Sequence, residues 1–259
     1  MKLELGELWR YRELLYFLTL RDVKIRYKQT VLGLLWAFVQ PFVKMVVFSL
    51  VFGGLAKMET GGYPYPIFLY AGLLPWQYFS EALSRASQSL VGSSTIITKV
   101  YFPRLIVPLA SVGGCLMDFL ISFVILLGLM LYYPVPPTWR LLLVIPLSLT
   151  TTIAGLGVGT LVSALNVTYR DFRYMMPFII QTWMFLTPVV YPPKLIPSQY
   201  RWLLWLDPMT GPVEGFRSAV LGQPLDWTVQ GVSLASGLVL LVLGLLYFRR
   251  VERKFADII

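Results

Sequence analysis

The chain has 259 residues, 57% of them hydrophobic and only 14% charged, with a net charge of +9. A soluble domain carries about 25% charged residues, and the apolar residues here gather into runs too long for a soluble core, so the bilayer replaces the core and no separate soluble domain is expected. The excess of positive charge, which in a soluble chain would point to nucleic acid, sits at the ends of those runs and reads as membrane orientation, with no nucleic-acid partner.

The first 28 residues hold eleven charged side chains and no uninterrupted apolar core, a pattern that does not fit a cleavable signal peptide. Within 7–28, Leu8, Tyr11, Leu15 and Leu18 recur at helical spacing, with Arg10, Arg12, Glu13 and Arg21 between them. This predicts an amphipathic helix lying in the membrane interface; an ordinary solvated helix is the alternative. About six spans follow, over 31–56, 67–88, 105–132, 139–165, 174–190 and 228–248, each near the ~20 residues a crossing helix needs. Tyr63-Pro64-Tyr65-Pro66 separates the first two and Pro134-Val135-Pro136-Pro137 the third and fourth, because proline cannot continue a helix. The short fifth span ends at Tyr191-Pro192-Pro193. Segment 191–227 is apolar in pieces too short to cross, interrupted by Gly211, Pro212 and Gly215. It reads as two short re-entrant helices packed against protein, or as a plain external loop with an aromatic belt. The expected fold is one all-α integral membrane domain over 1–259.

Of the 22 Lys and Arg residues, sixteen fall on one side of this scheme. Five fall on the other (Lys57, Arg140, Lys194, Arg201 and Arg217), and Lys44 lies inside a span. That bias predicts cytoplasmic termini at both ends. Lys44 and Asp118 lie near the middle of the first and third spans. A lone charge there costs ~2.5–3.5 kcal/mol on insertion scales. The two compensate each other, or Lys44 lines a path for a phosphate-linked carrier, or each snorkels or meets backbone carbonyls.

Chemistry-bearing motifs are missing. There is no phosphate-binding loop, no H-E-x-x-H and no G-x-S-x-G. Histidine is absent and Cys115 is the one cysteine, which removes a disulfide within the chain and a Cys-based zinc site. No catalytic, metal or cofactor site is expected in this chain, so energy for transport comes from an ion gradient or a partner. Two cytoplasmic connections mix aromatic and charged residues: Lys99-Val100-Tyr101-Phe102-Pro103-Arg104, and Asn166-Val167-Thr168-Tyr169-Arg170-Asp171. Aromatics and Arg suit the docking of a protein groove, though positive-inside loops with interfacial Tyr and Phe look the same. Trp36, Phe38 and Phe42, then Trp76, Tyr78 and Phe79, then Trp183 and Phe185 lie in three spans. They would simply meet lipid, or, on the resemblance given below, line a sugar path by stacking on C–H faces. Gly155, Gly157 and Gly159, and Ala110 with Gly114, give small-residue faces for close helix packing.

The chain resembles the ABC-2 type permeases that export polysaccharides such as O-antigen, capsule and teichoic acid. The resemblance is carried by Leu32-Gly33-Leu34-Leu35-Trp36 leading to Gln40-Pro41, by Gly72-Leu73-Leu74-Pro75-Trp76, by Lys99 through Arg104, and by Asn166 through Asp171. Asp207-Pro208-Met209 leading to Glu214-Gly215-Phe216-Arg217 completes it, with Asp207 where the family pattern has Asn. The resemblance implies two permease copies around a central path in the inner (plasma) membrane. A separate nucleotide-binding ATPase subunit would bind ATP and Mg, and a lipid-linked polysaccharide, O-antigen, would be the substrate. It further implies an ATPase contact formed by the N-terminal helix, with Arg10 and Arg12, and by Lys99, Tyr101, Phe102, Pro103 and Arg104. Tyr169, Arg170 and Asp171 would lie on the same face. An external gate would be formed by Tyr200, Trp202, Trp205, Asp207, Glu214 and Arg217. The rivals are a membrane scaffold of a glycan-synthesis complex and an ion-driven flippase. A flippase would carry several ionisable residues in its spans, and only Lys44 and Asp118 lie near the middle of one.

Overall fold

The computed structural model describes residues 5–28, 33–169, 171–252 and 255. Among them every regular element is helical. Helix α1 is Leu5–Arg10 and α2 is Arg12–Lys28, so the expected single helix over 7–28 is broken by a turn at Tyr11. Helix α3, Gly33–Phe48, runs on as a π-helical stretch, Ser49–Leu55. Helix α4 is Tyr65–Gly92 and α5 is Ser94–Lys99. Helix α6 is Ile106–Tyr132, α7 is Val144–Thr168 and α8 is Phe172–Leu186. The short α9, Arg201–Leu206, and α10, Thr210–Leu221, precede the long α11, Trp227–Val251.

Local chemistry explains several ends. Helix α4 opens on Pro64 and Pro66, where a missing N–H costs nothing because the first turn has no acceptor for it. Helix α10 stops at Gly222, whose φ of 68° is the left-handed conformation that glycine supplies at a helix end. Asp226 caps α11 by accepting from the N–H groups of Thr228 at 3.0 Å and Val229 at 3.3 Å. Pro41, Pro75 and Pro177 sit inside helices, as neighbouring helices in a membrane bundle allow.

Four helical stretches among the described residues are long and apolar enough to cross a membrane: Leu35–Leu55, Ile106–Tyr132, Trp139–Thr168 and Trp227–Val251. The expected second and fifth spans fall on α4 and α8, which differ in kind. Helix α4 has 28 residues and is the centre of the protein, with most residues from Ile67 to Leu90 buried against α6, α7, α8 and α10 and Arg85 and Gln88 exposed. An enclosed helix can carry polar residues where protein meets them. Tyr70 donates to the Ser122 carbonyl at 3.0 Å, Tyr78 and Thr152 share a hydrogen bond of 2.9 Å, and Asn166 donates to the Ser87 carbonyl at 2.7 Å. Helix α8 has 15 residues, about 22 Å at 1.5 Å per residue, shorter than a ~30 Å hydrocarbon core.

Small residues set the packing. Gly155 and Gly159, one turn apart, face Ala82 and Ala86 of α4, whereas Gly157 lies on the other side against Leu240 and Leu241 of α11. The three glycines therefore serve two faces, as 100° per residue demands. A Cβ at Gly157 would stand 2.6 Å from the Leu241 nitrogen, and one at Gly159 2.6 Å from the Ala86 Cβ. On α6 the small face admits the N-terminal helix. Thr19 meets Ala110 and Gly113, Asp22 and Val23 meet Gly114, and Arg26 and Tyr27 meet Asp118. Helix α2 thus follows α6 step for step over two turns, a packing that the expectation of a helix in the membrane interface did not include. Its outer side shows Tyr16, Phe17 and Ile25.

Candidate functional site

The candidate residues fall mainly at the two ends of α4 and around a cavity between them. At the C-terminal end, the loop 99–105 is held by one ring and one arginine. Phe102, 4% exposed, sits in an apolar cluster with Leu90, Ile97, Leu105, Phe248 and Phe255. The Arg104 backbone N–H donates to Glu252 Oε1 at 3.2 Å, and its guanidinium donates to the Glu252 carbonyl. With those two anchored, Tyr101 stands 88% exposed beside exposed Lys99. Phe102 is therefore the root of the loop, and Tyr101 and Lys99 are the side chains it holds outward. A cavity of about 500 Å³ joins Glu7 and Leu8 of α1, residues 101–105, and Arg249, Arg250 and Glu252 at the end of α11. Arg10 and Arg12 are exposed nearby in sequence, Arg12 lying over the Trp9 ring at 4.9 Å. The second predicted connection shares the same foundation, since Val167 belongs to the Phe102 cluster. Tyr169 and Asp171 are exposed, and Arg170 lies outside the described residues. Sequence reasoning missed Glu252. Its only signal was the charge run at the end of the last apolar stretch, which served there for orientation alone.

At the N-terminal end of α4 the segment 187–226 turns its polar groups inward. Asp207 Oδ1 accepts from Trp183 Nε1 at 3.1 Å and from the Met209 N–H at 3.0 Å. Oδ2 accepts from the hydroxyls of Thr187 at 2.6 Å and Thr210 at 3.1 Å. Burial raises the Asp207 carboxyl above its ordinary pKa, and these four hydrogen bonds pull it back down. An asparagine would fit here, because two of the donors are hydroxyls that can turn and accept. Arg217 is 4% exposed. It donates to the carbonyls of Phe68 at 3.3 Å, Pro188 at 2.7 Å, Tyr191 at 3.3 Å and Val189, and lies 4.0 Å over the Phe68 ring. A Cβ on Gly72 would stand 2.8 Å from this guanidinium, so the Gly72 and Arg217 motifs are two halves of one joint. Arg217 is a buried pin and Asp207 a half-buried one; of the predicted gate residues, Tyr200, Trp202 and Trp205 are the exposed ones, and Glu214 is half-buried like Asp207.

Between the ends, Asp118 is not bound to Lys44. It forms an ion pair with Arg26 and accepts from the Tyr27 hydroxyl, both on α2. The mutual compensation of Lys44 and Asp118 is thereby replaced. Depth in the chain made them plausible partners, but α2 brings a closer cation. Lys44 is exposed, and no described residue bonds to it. Both line a cavity of about 740 Å³ between α2, α3, α4 and α6. The predicted path aromatics divide. Trp36, Phe38, Phe42 and Phe185 are exposed, Phe38 and Phe42 stacking at 5.9 Å. Trp183 packs edge to face on both Trp76 and Phe79, which tilt against each other; Phe79 is wholly buried and Trp183 serves Asp207. Tyr78 is held by Thr152, with Phe119 at 5.2 Å. Trp76 and Phe79 are therefore core residues that face no open surface of the chain.

Comparison with known proteins gives a family and relatives. Residues 13–221 match the family described as ABC-2 type transporter. The O-antigen export system permease protein RfbA of Klebsiella pneumoniae is 28% identical over 260 residues, covering 100% of this chain and 98% of that protein. The protein of the same name from Myxococcus xanthus is 31% identical over 257 residues, with 97% of each covered. The polysialic acid transport protein KpsM of Escherichia coli is 27% identical over 254 residues, with 91% and 92% covered.

Proposed function

The chain belongs to the ABC-2 type transporter family, and from that footing we propose that it is the permease subunit of an ATP-driven exporter of a lipid-linked polysaccharide, O-antigen in particular. The observation that carries the substrate class is full-length similarity to permeases named for O-antigen and polysialic acid. In this reading the chain is a multi-pass protein of the inner membrane. Six helices cross, α4 shielded by its neighbours within the chain and α8 left open on one side, and both termini are cytoplasmic, as the charge bias favours. ATP and Mg are bound by a separate nucleotide-binding subunit and not by this chain.

The surface built from α1, the loop 99–105 and the end of α11 receives that subunit. An exposed tyrosine and basic residues on a buried foundation are the makings of an anchor. The segment 187–226 closes the path on the outer side. A second copy of the chain covers α3, the π-helical stretch that continues it, and α8, whose large exposed apolar side chains include Val43, Val47, Leu50, Phe178 and Leu186. Trp36, Phe38, Phe42 and Phe185 then face the path between the copies.

The test is co-expression with a nucleotide-binding ATPase subunit of an exporter from the same source. The purified chain alone is expected to hydrolyse no ATP, and the pair to co-elute and hydrolyse it. Tyr101→Ala is expected to cut co-elution by about tenfold or more, the size of a hot-spot loss, while the chain itself elutes unchanged. Full recovery of an active complex with Tyr101→Ala removes this surface as the docking site. Absence of any nucleotide-binding partner favours the scaffold reading.

A further inference from the structure

The cavity of about 740 Å³ between α2, α3, α4 and α6 belongs to neither end of the molecule. Its charged lining is three cations and two acids: Arg26, Lys44 and Arg85 against Glu81 and Asp118. Both acids are already engaged. Asp118 pairs with Arg26, and Glu81 takes Arg85 at 2.5 Å. Lys44 is left as the uncompensated charge, exposed and bonded to no described residue. It stands midway along an apolar stretch, Leu35–Leu55, where a low dielectric strengthens any attraction it exerts. A second unmet demand lies on the α4 side of the same cavity. Among the described residues no donor meets the buried Gln77 Oε1.

The cavity therefore asks for an anion at Lys44 and a hydrogen-bond donor at Gln77. An acyl tail supplies neither. A phosphate flanked by a hydroxyl or ammonium group supplies both, and about 740 Å³ lies within the range of ligand pockets. We propose that this cavity binds the head group of a phosphate-bearing lipid, with Lys44 holding the phosphate and the Gln77 carbonyl accepting from a neighbouring donor. The inference rests on the permease reading in one respect, that the substrate is itself lipid-linked. The phosphate has two sources, a membrane glycerophospholipid or the polyprenyl carrier of the substrate.

The experiment uses the full chain in phosphatidylcholine nanodiscs. They are doped either with photoactivatable phosphatidylglycerol or with a photoactivatable polyprenyl diphosphate, and labelled peptides are mapped by mass spectrometry. Labelling is expected on α3 and α4, falling about tenfold in Lys44→Met, as loss of a charge-assisted hydrogen bond implies. Lys44→Arg is expected to keep it. Gln77→Leu, which leaves every ion pair in place, is expected to lower phosphatidylglycerol labelling about threefold. The probe that displaces the other identifies the source. Equal labelling of wild type and Lys44→Met with both probes overturns the proposal. Because this readout needs neither ATPase nor export, a chain that binds the probes but recruits no nucleotide-binding subunit refutes the permease reading alone. A chain that recruits the subunit but labels independently of Lys44 refutes this inference alone.

Discussion

At the C-terminal end of α4 a short loop buries one ring, Phe102, and leaves Lys99 and Tyr101 outside. At the N-terminal end the order is inverted. There the carboxylate of Asp207 and the guanidinium of Arg217 are the interior, and the aromatic rings of Tyr200, Trp202 and Trp205 are outside. The first arrangement makes a surface whose outer side chains are free to meet something else. The second makes a segment whose backbone is bound to itself, since Arg217 alone gathers four carbonyls from two separate stretches of chain. Polar residues in a membrane protein thus tell little by type. What they do depends on whether their partners lie within the chain.

The comparison is broken most severely at Arg217. Arg217→Met strands four carbonyls beside an apolar side chain, and a buried unsatisfied group costs about 1–3 kcal/mol. Little folded protein is expected by size-exclusion chromatography. Arg217→Lys is expected to recover only part of it, because an ammonium lacks the planar fork that spans them. Normal yield of Arg217→Met would mean that the segment is not pinned as described.

The loop end gives the next largest effect and the sharpest contrast between neighbours. Phe102→Ala is expected to destabilise the chain by about 3–5 kcal/mol, the cost of emptying a buried aromatic site. Tyr101→Ala is expected to stay within about 0.5 kcal/mol, as exposed substitutions do. Thermal unfolding followed by tryptophan fluorescence in detergent reads both. Similar losses for the two would erase the distinction between root and surface.

The smallest effect concerns the ion pair between them. Arg26 and Asp118 keep 15% and 25% of their side-chain surface, so removing one partner is expected to cost less than the 3–5 kcal/mol of a fully buried pair, about 1–3 kcal/mol. Asp118→Leu and Arg26→Met are each expected to lower the melting temperature. The double variant is expected to regain most of the loss, and adding Lys44→Met to Asp118→Leu is expected to regain none. Rescue by Lys44→Met would restore the pairing that the structure replaces.

Much of the fold is legible because proline and apolar length speak locally. The breaks at 63–66 and 134–137 and the two short helices in 191–227 all follow from residues within a few positions of one another. Partnerships across the bundle are not local. Asp118 looked toward Lys44 because both sit mid-span, while Arg26 belonged to a helix placed outside the bundle. Ala110 and Gly114 carried the missing clue: a small-residue face on α6 must admit a helix, and α2 is the one it admits. Trp76 and Phe79 were indistinguishable from Trp36 and Phe42 by type. What separates them is which side of the helix meets α7 and α8, and apolar runs without a polar stripe do not reveal that.

Gly157 brings α7 against the backbone of α11, and Gly159 brings it against Ala86 of α4, with no long side chain between. Such a seam has no upholstery. Long side chains can change rotamer and let two helices slip, whereas backbone against backbone has nothing to yield. Helices α4, α7 and α11 then behave as one rigid chassis. The first span stands apart from this chassis, since Leu35–Leu55 has the least of its surface covered of the four long apolar stretches.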